Sequence, residues 1–190
     1  MNATLPEWMY PPRPSGWEAD DLDLVPDLPR HTELIDGALI FMVSPQRSWH
    51  GSVIRRLATA LEDQAPAGQS VGTRMSVKLD RRSRPEPDVI VGTVLYDPER
   101  TCFLADQVSL VVEVVSDESL ERDRQIKPFK YAGAGIRHFW RIEDEDLMPV
   151  VHSYELDEVT KTYVPTGIHR NKLTSSVPFP IEIDLGKLSR

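Results

Sequence analysis

Residues 107–116 read QVSLVVEVVS. A continuous Val/Leu run of this length predicts a strand over 108–115 that is buried on both faces, as central strands of mixed sheets are. Glu113 lies inside it, and a carboxylate among Leu110, Val111, Val112, Val114 and Val115 is costly unless paired, protonated or bound to a metal. The preceding apolar run, PEPDVIVG (85–92), predicts a second strand with Asp88 at its mouth. The following segment, DESLERDRQIKPFKYAGAG (117–135), predicts a charged helix. Asp117 or Ser119 suits its start, and Gly133 or Gly135 its end. Asp123, Lys127 and Tyr131 stand four residues apart along it.

Outward from this centre, HTELIDGALIFMV (31–43) places Asp36-Gly37 between two apolar runs, the signature of a tight hairpin. Apolar residues at 53, 54, 57, 58 and 61 have helical spacing and predict a helix over 48–64. Residues 70–80 alternate as a strand, and RRSRPEP (81–87) forms a basic, proline-stiffened approach to Asp88. DPERTCFLADQ (97–107) reads as a connection with a turn of helix. Further strands are expected over 136–144, 149–156 and 161–167, with PFPIEIDLGKL running along an edge. Residues 1–30 read as a proline-rich arm with a short helix near 17–29, and 31–190 as one α/β domain, a mixed central sheet flanked by helices.

The chain has 190 residues, 22 Lys+Arg against 30 Asp+Glu and a formal charge of -8. That balance favours solubility and argues against broad, nonspecific attraction to nucleic acid, although a local basic groove stays open. The single Cys102 forbids an internal disulfide and suits a reducing, cytoplasmic setting. No basic region followed by an apolar core opens the sequence, and no apolar run reaches membrane-spanning length.

Asp88 and Glu113 sit on neighbouring predicted strands and can reach one end of the sheet. Two ionised carboxylates about 4 Å apart repel by roughly 4 kcal/mol at an effective dielectric near 20. A divalent cation removes that penalty; magnesium suits carboxylates, carbonyls and water, and polarises phosphate while activating water. A nearby ammonium orients the water or stabilises developing charge. Acids, lysine and metal in this combination point to phosphodiester hydrolysis. Each residue also has a plainer reading. Asp88 can simply end a loop, and Glu33 can be an ordinary strand end beside the hairpin. Asp123 and Lys127 can be an exposed i,i+4 pair contributing about 0.3–0.5 kcal/mol. Tyr131 reads as a packing residue with a satisfied hydroxyl. His50 reads as a cap or a phosphate contact, and Arg81, Arg82 and Arg84 as either a grip on a phosphate backbone or a solvated basic loop.

The ordered set P-D, E-V-V-S, D-x-x-x-K-x-x-x-Y and A-G-I-x-x-F-W resembles the PD-(D/E)XK nuclease superfamily. It resembles most closely the Uma-two family of candidate restriction endonucleases, whose pattern also fits E-L-I-D-G (33–37), S-P (44–45), His50 and P-I-E-I-D-L (180–185). The resemblance spans about residues 31–185 and implies a restriction-endonuclease-like core acting on nucleic acid, DNA in the first instance. Asp88 and Glu113 match the metal-binding acids, with the Val114 carbonyl and Glu33 as further metal ligands. The metal implied is Mg2+, with Mn2+ as substitute. The superfamily's E-x-K pattern would place lysine at 115, where Val115 stands; the family displaces that role to Lys127 on the next helix. A homodimer follows by analogy with nucleases that cut both strands. The competing expectation is a noncatalytic nucleic-acid-binding or assembly module that keeps the fold.

Overall fold

Asp36 and Gly37 both take positive φ, 52° and 81°, and so close the hairpin between β1 (Thr32–Ile35) and β2 (Ala38–Phe41). Such a turn matches the right-handed twist of the paired strands and needs glycine at its second position. A Cβ at Gly37 would also collide with the Arg82 guanidinium. The computed structural model describes residues 6–42 and 45–189. The first five residues of the N-terminal arm, the last residue of the HTELIDGALIFMV stretch and Ser44 of the Ser-Pro pair lie outside the described residues.

The expected helix is α1 (Ser48–Glu62), which buries Trp49, Val53, Ile54, Leu57, Ala58 and Leu61 on one face. The single strand expected over 70–80 is instead two, β3 (Ser70–Thr73) and β4 (Ser76–Lys78). Arg74 breaks it by taking φ 50°, a left-handed conformation that no continuous strand accommodates. The chain continues through β5 (Val89–Gly92), β6 (Cys102–Leu104), β7 (Val108–Val114), α2 (Lys127–Gly133), β8 (His138–Glu145), β9 (Met148–Asp157), β10 (Thr162–His169), β11 (Lys172–Ser175) and β12 (Ile181–Asp184). A short 3-10 turn, Ala19–Asp23, occupies the helical segment expected in the N-terminal arm.

Six strands form the main sheet in the order β10-β9-β8-β7-β5-β3, with β7 and β8 parallel and the other neighbours antiparallel. The β11–β12 hairpin does not extend an edge of this sheet, as the C-terminal strand was expected to; it is a separate two-stranded sheet. Its apolar residues Leu173, Ile181 and Ile183 all face one way and join α1 in covering the sheet. Side chains alternate across a strand. Leu110, Val112 and Val114 therefore pack with α1, whereas Val111 packs on the opposite face with Tyr131 and Phe139. Glu113 shares that second face. Burial of each such Val or Leu contributes about 1.5–3 kcal/mol relative to exposure.

Helix α2 is preceded by a π-helical turn, Arg122–Ile126, in which the Lys127 N–H bonds back to the Arg122 carbonyl. Pro128 explains the wide turn. Its ring would clash with a carbonyl one regular turn back and it has no N–H to give; the extra residue relieves the clash. Gly135 at φ 84° lets the chain leave the helix, its N–H reaching the Ala132 carbonyl at 3.0 Å.

Candidate active site

Strands β5 and β7 run antiparallel with Val89 opposite Val112. One step further, beyond the end of β5, the same register sets Asp88 beside Glu113, and paired residues share a face. Asp88 is anchored there because its Oδ2 accepts the Val114 N–H at 2.8 Å. Glu113 is 1% exposed, and its Oε1 accepts the Tyr131 hydroxyl at 2.5 Å.

The displaced lysine reaches the same place from the helix. Lys127 Nζ lies 2.8 Å from Glu33 Oε1, 3.2 Å from Glu113 Oε1 and 3.3 Å from Asp123 Oδ1, and all four residues are 2% exposed or less. Glu33 arrives on β1 because the hairpin is tied down by reciprocal backbone bonds between Leu34 and Arg84, at 3.1 and 2.7 Å. Its Oε1 also accepts the Glu86 N–H at 2.9 Å. Burial pushes Glu113 well above the usual carboxylate range despite Lys127, and pushes Asp123 up for the same reason. Burial alone would lower the Lys127 ammonium, but Glu113, Glu33 and Asp123 outweigh it and hold it well above an ordinary lysine. Burial, then Glu113 and Glu33, raises the Tyr131 hydroxyl, which stays a donor.

The cluster is thus short of positive charge. Glu33, Glu113 and Asp123 surround a single ammonium with Asp88 in the same cleft, and among the described residues the buried Glu33 Oε2 has no hydrogen-bond partner while Asp123 Oδ1 has only the ammonium at 3.3 Å. Hard carboxylate donors with lone pairs to spare and a charge deficit fit a divalent cation of the magnesium type. Among the described residues no three His, Cys, Asp or Glu form a ready-made cage, and the Lys127 ammonium stands amid three of the four acids.

The structure brings Asp88, Glu113, Lys127 and Glu33, the residues singled out in the sequence, to one cleft. The Val114 carbonyl, expected as a metal ligand, already accepts His50 Nε2 at 2.8 Å. His50 lies buried in the first turn of α1, 3.5 Å from Asp88 Oδ2. Asp123, expected as half of an exposed ion pair, is instead fully enclosed together with Lys127. The four-residue spacing of Asp123, Lys127 and Tyr131 was the signal for it.

Arg81, Arg82 and Arg84 go elsewhere. Arg81 pairs with Glu18, and Arg82 donates to the Ser15 and Asp36 carbonyls. Arg84, 5% exposed, donates to both Asp23 oxygens at 2.8 and 2.9 Å, to the Ala19 carbonyl at 3.1 Å and to Ser76 at 2.9 Å. The buried Arg84 fork therefore has no free face for a phosphate, which corrects the expectation for that residue; the exposed Arg81 and Arg82 touch the N-terminal arm from its surface.

The acids open into a cleft of about 280 Å³ rimmed by His31, Arg74, Glu86 and Ser119. A second groove of about 580 Å³ adjoins it through Gln46, His50 and Ser116. The described helices include none long and apolar enough to cross a membrane.

No curated protein matches the chain. Four chains of solved structures match. One of them, a crystal structure described as "a putative nuclease belonging to DUF820" from Anabaena variabilis, superposes with a TM-score of 0.67 at 14% identity, covering 89% of this chain and 95% of its own. At that identity the likeness shows the fold, a restriction-endonuclease-like α/β core. Residues 19–186 match the Uma2 family, described as "Putative restriction endonuclease", and with most of its length matched this chain belongs to that family.

Proposed function

We propose that this protein hydrolyses phosphodiester bonds in DNA with the help of a divalent metal ion. The observation that supports the reading is the charge-deficient cluster at the open end of β5 and β7, where one ammonium meets three acids and a fourth, Asp88, lines the same cleft. Asp88 and Glu113 would hold Mg2+ or Mn2+, with Glu33, Asp123 and the Val114 carbonyl as supporting donors. The metal, when bound, supplies Lewis-acid polarisation of the phosphate and a more acidic water. Lys127 orients that water and offsets charge building on the phosphate. Tyr131 fixes the Glu113 carboxylate through its hydroxyl, so one oxygen keeps a constant direction. His50 fixes the end of β7 through the Val114 carbonyl.

A noncatalytic nucleic-acid-binding module is the second reading, and one observation favours it: Lys127 already serves as an internal counter-ion to three acids. Thermal denaturation with Mn2+ separates the two. A ligand that binds only the folded state raises stability. We expect Mn2+ to raise the Tm of the wild type, Glu113→Gln to abolish that rise, and the wild type to nick supercoiled plasmid. Equal metal response in both proteins would remove the site assignment; a metal response without cleavage of any DNA or RNA offered would favour the module.

A further inference from the structure

The acidic cleft sets a problem for a polyanionic substrate, because its own lysine is already committed. Four basic side chains line the cleft: His31, His50, Arg74 and Lys127. Lys127 is ringed by three carboxylates, His31 meets Glu86 at 2.5 Å, and His50 donates to Val114 3.5 Å from Asp88. Arg74 alone among them has no carboxylate within ion-pairing distance among the described residues. Its own N–H bonds the Asp88 carbonyl at 3.1 Å, so its place is tied directly to the metal-site acid. Its left-handed backbone, φ 50°, ends β3 and turns the residue out at the junction of two cavities.

The second cavity is a groove of about 440 Å³ between the Thr73–Arg74 turn and an exposed ridge of α1 formed by Gly51, Arg55 and Thr59, with Glu62 at its far end. Gly51 leaves the floor open, since a Cβ there would meet nothing within 4 Å. Arg55, exposed, likewise has no ion pair among the described residues.

We propose that Arg74 and Arg55 form a phosphate track, which takes the backbone of one nucleic-acid strand out of the cleft along α1. The proposal rests on the nuclease reading and deepens it: the substrate is a polymer with phosphates on the Arg74 side of the cut, and the Arg81–Arg84 segment takes no part. Each phosphate neutralised releases counterions, so each contact adds about one to the slope of log affinity against log salt. The test measures fluorescence anisotropy of a labelled DNA duplex in EDTA across a salt series, and cleavage kinetics in Mn2+. Wild type, an Arg55→Gln/Arg74→Gln double variant and Arg137→Gln are compared; Arg137 is exposed and precedes β8, at the opposite end of the β7–β8 pair from the cleft. The double variant is expected to lose about two units of slope and to raise KM about tenfold with kcat within about threefold, with Arg137→Gln unchanged. A full slope in the double variant, while wild type cleaves, overturns the track and leaves the nuclease reading intact. An equal loss in Arg137→Gln overturns it too, reducing the effect to net charge. A wild type that neither binds nor cleaves overturns both.

Discussion

Two sets of charges in this protein use the same residue types in opposite ways. In the clasp around residues 81–84, Arg81 meets Glu18, Arg13 meets both oxygens of Asp21, and Arg84 meets both oxygens of Asp23. Each of those acids has its own arginine there, and the pairs reach solvent. In the cluster around Lys127, acids outnumber the cation, every group but Asp88 is 2% exposed or less, and Glu33 Oε2 has no hydrogen bond among the described residues. A balanced pair is satisfied as it stands. An unbalanced buried cluster persists only where the fold over-determines it, and it has an affinity for further positive charge.

The largest effect that would break this contrast is catalytic. Lys127→Ala is expected to lower plasmid cleavage by about 10²-fold or more. Lys130→Ala removes a pair with Asp36 at the hairpin tip and should change stability by no more than about 1 kcal/mol, with cleavage retained. Were Lys130→Ala the inactive variant, the lysine assignment would fall. The next effect is on folding. Arg84→Met should cost about 2 kcal/mol in urea denaturation, because the Ala19 carbonyl loses its donor while half-exposed Asp23 regains water. Cleavage per folded molecule should be unchanged; a lower kcat would mean that the clasp helps to shape the site.

The smallest effect is a difference of sign in pH dependence. Burial raises Glu113 and Asp123 in the folded chain, so it holds their protons more tightly than the unfolded chain does. Their contribution to stability is fully present below the ordinary carboxylate range and is lost as pH rises above it. Hydrogen bonds from Arg81 and Arg13 hold Glu18 and Asp21 below their ordinary values. Their contribution is present above that range and is lost as pH falls below it. Plots of Tm against pH should therefore flatten on the neutral side in Glu113→Gln and on the acid side in Asp21→Asn. Flattening on the same side in both would erase the distinction.

Much of the site was legible in local sequence. A glutamate inside a Val/Leu run cannot hide, since burial on both faces of the sheet is what the run itself announces. Asp36-Gly37 fixed the hairpin that delivers Glu33, because few dipeptides adopt two positive φ values in succession. What stayed hidden depended on partners distant along the chain. Arg84 and Asp23 are 61 residues apart, so nothing in RRSRPEP tells a clasp from a phosphate grip. Asp123 reads as solvent-exposed because i,i+4 acid–lysine pairs usually are, and local propensity does not reveal the π turn beneath it. The break at Arg74 was equally silent: SVGTRMSVKLD alternates through it, and only the divergence of β3 and β4 toward different partners shows the turn.

The wide turn before Pro128 has a meaning for descent as well as for packing. A π turn is a regular helix with one residue inserted. Deleting one residue from 124–126, together with Pro128→Ala, would restore a regular helix and leave Asp123 three residues from Lys127 instead of four. Positions three and four apart are both neighbours on a regular helix, so the acid and the lysine would still face each other. A lineage could therefore gain or lose the wide turn by an insertion or deletion matched with a change at 128, and the D-x-x-x-K spacing would change by one. Relatives aligned without a gap at this turn would be compared one residue out of step. The acid would then seem absent from chains that still carry it.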